Sequence, residues 1–166
     1  TRTACPAASS GSSCPRLTRE VQLSAPILIV EDNPDDLVFL QRALQSTGRS
    51  TPFRVVRDGA GAIDYLMGEG DYADRLKHPR PALVLLDLNL PVASGFVVLR
   101  WLSEQPVLRR IPVVVLSSSD RDEDVNLAYD LGANAYIVKP NGLKPLGEVA
   151  EQVARFWLTL NRRPSI

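Results

Sequence analysis

Fully apolar runs recur along the chain at Ile27–Val30, Ala82–Leu86, Val113–Leu116 and Ala135–Val138, and each stops abruptly at a polar residue. Runs of four or five residues rich in Val and Ile, with no polar residue alternating through them, predict strands covered on both faces, as in a parallel sheet. Phe53–Arg57 alternates with polar positions and reads as an edge strand. Between these segments apolar residues return at three- and four-residue spacing: Leu37, Leu40 and Leu44; Ile63 and Leu66; Phe96, Leu99 and Leu102; Val125, Ala128 and Leu131; Leu146, Val149, Val153 and Trp157. Each set marks one face of a helix. Five strands alternating with five helices predict a doubly wound α/β domain with helices on both faces of its sheet.

The punctuation agrees with this division. Asn33 is a helix cap followed by Pro34 at the first helical position and by Asp35 and Asp36 in the first turn, with Gly48 as the stop. Asp58-Gly59 opens the second helix, and Pro91 with Ser94-Gly95 leads into the third. Asp120 with Glu123 three residues on predicts a capping box for the fourth helix, which Gly132 ends. Gly68–Pro81, with two Gly, two Pro and many charges, reads as an exposed loop. Residues 1–24 are rich in Ser, Ala, Thr and Pro without periodicity and read as a disordered tail. The domain then covers residues 25–160, and residues 161–166 form a short basic tail.

Composition narrows the function. The 166 residues carry 19 basic and 19 acidic side chains, which excludes a general electrostatic field for nucleic acid or an acidic membrane. No apolar stretch is long enough to span a bilayer. Cys5 and Cys14 both lie in the tail and leave the core without cysteine, which points to a reducing cytoplasm rather than a disulfide framework. As a metal site that pair lacks further His or Cys partners.

Ligands of open α/β sheets bind beyond the carboxyl ends of the strands, where strand order reverses. The polar residues at those ends are Glu31-Asp32, Asp87, Ser117 and Lys139. Asp87 lies between Leu86 and Leu88, so its charge needs a compensating partner, and Lys139, in front of Pro140, is the obvious one. A purely structural Asp87–Lys139 ion pair is the plain reading. The whole set suggests more. Clustered carboxylates suit a hard divalent cation, Mg²⁺ or Mn²⁺, held by Glu31, Asp32 and Asp87 with a further oxygen from the carbonyl of Asn89. Asp87, on the middle strand, can present an oxygen as nucleophile and form an aspartyl phosphate. Lys139 and the Ser117 hydroxyl then bind oxygens of the transferring phosphoryl group.

The segments IVEDNPDD, LLDLNLP, VVVLSSS and YIVKP, in this order and spacing, resemble the receiver domain of two-component response regulators over roughly residues 25–160. The resemblance implies a flavodoxin-like fold with strand order 2-1-3-4-5 and Asp87 as the phosphoacceptor charged by a sensor histidine kinase. It implies Asp32 as a direct Mg²⁺ ligand, Glu31 acting through water, Ser117 as the switch hydroxyl and Tyr136 as an aromatic that turns inward on activation. Ser at 117 replaces the commoner Thr and keeps the hydroxyl. The GEGDYADRLKHPRP segment and the Phe156-Trp157-Leu158 ending look like the single-domain regulators that partner bacterial phytochromes.

Two residues carry a second reading. Tyr136 could simply pack at a sheet edge with its hydroxyl in water. Phe156, Trp157 and Leu158 span more arc than one buried face needs, so they are either a crowded helix end or an exposed patch joining two subunits into a homodimer. After Lys139 there is room for one helix and a short tail but not for a DNA-reading module, so output is expected through protein contact. His78, the one histidine, lies in the Gly68–Pro81 segment and lacks the helical setting of a phosphorylatable histidine, which makes the phosphodonor another molecule. Two alternatives remain. A phosphatase working through an aspartyl phosphate needs an acid two residues after the nucleophile, where this chain has Asn89. A pseudo-receiver would bind partners without phosphorylation, against the presence of Asp32, Asp87 and Lys139.

Overall fold

Five strands, β1 (Ile27–Val30), β2 (Phe53–Val56), β3 (Leu83–Leu86), β4 (Val113–Ser117) and β5 (Ala135–Val138), form one parallel sheet in the order β2-β1-β3-β4-β5. The structure is a computed structural model and describes residues 25–46, 52–140 and 143–162. The tail 1–24, Gly48 as a helix stop, and residues 163–166 lie outside the described residues. The helices are α1 (Pro34–Ser46), α2 (Gly59–Met67), α3 (Gly95–Ser103), α4 (Asp122–Asp130) and α5 (Leu143–Arg155), the last running on into a π-helical turn at Phe156–Leu160. No described helix is long and apolar enough to cross a membrane.

The apolar runs build two cores because successive strand residues face opposite sides. Leu28, Val30, Val84, Leu86, Val113 and Val115 pack on one face with α2, α3 and α4. Ile27, Ile29, Leu83, Leu85, Val114 and Leu116 pack on the other with α1 and α5. Truncating any one of these leucines to Ala removes about 2–5 kcal/mol. The chain leaves β1 toward β2 on one side and returns to β3 on the other, so the strand order reverses between β1 and β3. The rim crevice opens there.

Several caps follow the sequence. Asn33 Oδ1 accepts from the N–H groups of Asp35 (2.9 Å) and Asp36 (3.4 Å), and Asp58 Oδ1 accepts from Gly61 N–H at 2.7 Å. One expectation fails and a second holds only in part. The Asp120/Glu123 capping box does not form: α4 begins at Asp122, and Glu123 instead pairs with Arg121. The Ser119 hydroxyl takes over, donating to Asp124 Oδ2 at 2.6 Å within the first turn of α4. Gly68–Pro81 is also more than a solvated loop. Arg75 folds back and donates to the carbonyls of Tyr65 (2.8 Å), Leu66 (2.7 Å) and His78 (3.2 Å), which satisfies the last turn of α2. Tyr65, Tyr72 and His78 meet edge to face around it. Among the charges here Arg75 caps the helix, whereas Glu69, Asp71, Asp74, Lys77 and Arg80 are exposed as the sequence predicts.

The approach to the rim depends on Gly95. A Cβ at this position would run into the carbonyl oxygen of Asp87 and lie 2.8 Å from the Cα of Leu88, so only glycine lets α3 start this close to the end of β3.

Candidate functional site

In-register pairing of Val30 with Leu86 levels the ends of β1 and β3, and the ladder continues one step beyond them. Asp87 N–H donates to Val30 O at 3.0 Å, and Glu31 N–H donates to Val56 O at 3.1 Å. Lys139 N–H likewise donates to Ser117 O at 2.7 Å, fixing the end of β5 beside β4. Backbone alone thus brings Glu31, Asp87 and Lys139 to one place. There the Lys139 ammonium donates to Asp87 Oδ2 (2.7 Å), Glu31 Oε2 (2.7 Å) and Asp36 Oδ2 (2.9 Å). All four side chains are largely shielded, Lys139 being 12% exposed. The three donors of an ammonium therefore each meet a carboxylate.

The remaining carboxylate oxygens are also set. Glu31 Oε1 accepts from Asn33 N–H and Asp87 Oδ1 from Asn89 N–H, each at 3.1 Å. Asp32 stands exposed at the mouth of a cavity of about 530 Å³ whose walls include Asp36, Asp87, Asn89, Ser118 and Lys139. One oxygen each from Glu31, Asp32 and Asp87 lies within 4.8 Å of the others. An all-oxygen, anionic set so spaced fits a small, hard divalent cation.

Burial pushes the Glu31 carboxyl up to about 7, with the neighbouring Asp87 charge adding to the rise and the Lys139 ammonium opposing it. Burial pulls the Lys139 ammonium down, but its hydrogen bonds to Asp87, Glu31 and Asp36 outweigh that and hold it above the ordinary lysine value. In the cation-free protein the raised Glu31 carboxyl stabilises the fold fully below its ordinary 4.5, and that contribution is lost as pH climbs through about 7. Unfolding free energy in chelator is therefore expected to fall by on the order of 2 kcal/mol from about pH 5 to pH 8 through this group. Urea unfolding across that range should show this part of the slope in the parent protein and not in Glu31→Gln.

The profile of the response regulator receiver domain matches residues 27–151. This chain belongs to that family. The receiver is 39% identical over 132 residues to response regulator Rcp1 of Synechocystis sp., a match covering 80% of this chain and 88% of Rcp1. It superposes on the crystal structure of the phosphorylated cyanobacterial phytochrome response regulator RcpA with a TM-score of 0.81 and 42% identity, over 86% of this chain and 99% of RcpA. The Mn²⁺-bound form of Rcp1 gives a TM-score of 0.79 and 38% identity, over 85% and 99% of the two chains.

Within the receiver, the residues singled out in the sequence do not all reach the same cavity. Glu31, Asp32, Asp87 and Lys139 converge, and Asn89 lies beside them with its amide Nδ2 3.5 Å from Ser118 Oγ. Ser118, rather than Ser117, lines the cavity. Ser117 is fully buried, and its hydroxyl oxygen accepts from Ser119 N–H at 3.2 Å. Ser119 is a junction: besides these bonds of its amide and hydroxyl, its carbonyl accepts from the Tyr136 hydroxyl at 2.9 Å. Tyr136 packs against the core on the α4 side, so its hydroxyl is bonded to protein rather than left to water. Trp157 and Leu158 pack against the α1/α5 core, whereas Phe156 and Leu160 are exposed. Of the three residues of the aromatic ending, Trp157 and Leu158 are half-buried and Phe156 is exposed.

The sequence reading missed Asp36. It sits three positions after the Asn33 cap, and helix side chains tilt toward the N-terminus, which carries this carboxylate back over the rim. Helix phase was the available signal.

Proposed function

We propose that this receiver is a response regulator that takes a phosphoryl group onto Asp87 from a sensor histidine kinase and signals through protein contacts. One observation carries the reading: the Asp87 carboxylate, at the end of the central strand, shares the Lys139 ammonium at 2.7 Å beside two further acids suited to a divalent cation. Asp32, Asp87 and the carbonyl of Asn89 would hold Mg²⁺, or Mn²⁺, directly, with Glu31 acting through water. When bound, the cation offsets negative charge on the phosphoryl oxygens. An Asp87 oxygen attacks phosphorus, the bond from phosphorus to the donor's imidazole nitrogen breaks, and that nitrogen keeps the electron pair. Lys139 turns from Asp87 to a phosphoryl oxygen, and the Ser117 hydroxyl binds another. The Ser117 hydroxyl would donate to the phosphoryl oxygen while its oxygen accepts from Ser119 N–H, so a movement of Ser117 is carried to the β4–α4 connection and Tyr136. The likeness to RcpA supports a bacterial phytochrome as the kinase, and a cytoplasmic setting follows from such a partner.

The test is labelling with a small phosphodonor such as acetyl phosphate. We expect close to one acid-sensitive, alkali-labile phosphate per chain with Mg²⁺ and none in chelator. Continuous turnover of a phosphate ester would favour the phosphatase, and lack of Mg²⁺ binding would favour the pseudo-receiver. The exposed Phe156 and Leu160, at 50% and 70%, support a homodimer through the end of the last helix. Sedimentation should then report a dimer that Phe156→Ser with Leu160→Ser converts to monomer; an unchanged mass removes this interface.

A further inference from the structure

Lys139 has a partner that the phosphoryl chemistry leaves unused. Asp36 Oδ2 lies 2.9 Å from its Nζ with the carboxylate side chain only 16% exposed, yet Asp36 is outside the Glu31–Asp32–Asp87 group that can gather on a cation. The other two partners have tasks of their own in the proposed reaction, on which this inference rests. Asp87 becomes an acyl phosphate, and Glu31 faces the bound cation. Asp36 is the carboxylate whose charge stays available to the ammonium throughout.

Its support is rigid. Asn33 caps the helix start on which Asp36 stands, and Leu37 and Leu40 bury the same end of α1 in the core. Lys139, by contrast, ends a flexible four-carbon stem whose head wanders unless something holds it. A fixed anion beside a mobile cation sets where the cation sits. We propose that Asp36 is a positioning residue, acting through Lys139, that holds the ammonium at the cavity wall while Asp87 accepts the phosphoryl group. It does not touch the transferring group itself.

The test uses acetyl phosphate at Mg²⁺ saturating for each variant. Asp36→Asn should be labelled about tenfold more slowly than the parent, and Asp36→Glu should stay within about threefold, because it restores the charge. In a Lys139→Met background, Asp36→Asn should cause no further loss, since the residue it acts through is gone. Parental labelling of Asp36→Asn, or an equal loss in both backgrounds, overturns the proposal. A separate measurement keeps it testable if the parent takes no phosphate, which would defeat the functional reading alone. In protein carrying ¹⁵N-lysine, the Lys139 ammonium should give a slowly exchanging NMR signal that Asp36→Glu keeps and Asp36→Asn loses. Persistence of that signal in Asp36→Asn overturns the proposal whatever the labelling shows.

Discussion

Asp87→Asn is expected to reduce phosphoryl labelling by at least two orders of magnitude without unfolding the protein. The amide has nearly the shape of the carboxylate, so its oxygen can still accept from Asn89 N–H as Asp87 Oδ1 does. Its lost charge has two opposing effects on stability. Lys139 gives up one of three anionic partners, but Glu31 no longer faces a second buried carboxylate, a repulsion that helps raise its pKa. The net change should lie within about 1–2 kcal/mol in either direction. Chemistry has no such compensation, because a neutral amide oxygen is a poor nucleophile. Thermal unfolding and labelling quenched with detergent at neutral pH, run on the same preparation, separate the two effects. Undiminished labelling of a folded Asp87→Asn would move the acceptor to another carboxylate, with exposed Asp32 the nearest candidate.

Lys139→Met is expected to be the most destabilising single change at the rim. It leaves Glu31, Asp36 and Asp87 shielded from water and without their shared cation. Breaking a buried pair from one side costs about 3–5 kcal/mol, and here one side serves three acids. In chelator the melting temperature should fall by roughly 10 °C. Protonation of Glu31 relieves part of the repulsion, so the loss should be smaller near pH 5.5 than near pH 8. Added Mg²⁺ should return much of the stability, because a ligand that binds only the folded state raises its unfolding free energy. The variant should therefore depend on Mg²⁺ for stability more strongly than the parent. Melting curves with and without Mg²⁺ at the two pH values check each part; equal curves for variant and parent in chelator would mean that the network carries little energy.

Most of the architecture could be read from the chain because its decisive signals are local. Continuous Val/Ile/Leu runs bounded by turn residues read as strands of a parallel sheet. β1, β3 and β4 are buried as expected, whereas β5, at the sheet edge, is half-buried with Val138 exposed. Parallel pairing brings whatever follows Val30, Leu86 and Val138 to one end of the sheet. Glu31, Asp87 and Lys139 were legible for that reason. What escaped turns on helix phase, which the spacing of Leu37, Leu40 and Leu44 does carry, and on competition between neighbours, which a linear pattern does not. Asp35 and Asp36 look alike in sequence, and only the phase of α1 sends one of them to the ammonium. Asp120 and Glu123 have the spacing of a capping box, yet Ser119 reaches Asp124 first and the helix starts later. Arg75 reads as one more loop charge until the open carbonyls at the end of α2 give it a task.

The division of the core into two layers has a bearing on signalling. Lys139 ties Asp87 to Asp36 on the α1/α5 layer through ion pairs, while Ser117 and Ser119 lead to Asp124 and Tyr136 on the α2–α3–α4 layer through hydroxyl and backbone hydrogen bonds. A phosphorylation event would thus be read through the ion pairs of one lysine beneath the sheet and through serine hydrogen bonds above it. Two binding partners gripping opposite faces would respond to one modification through separate contacts, and a substitution that silences one of them need not deafen the other.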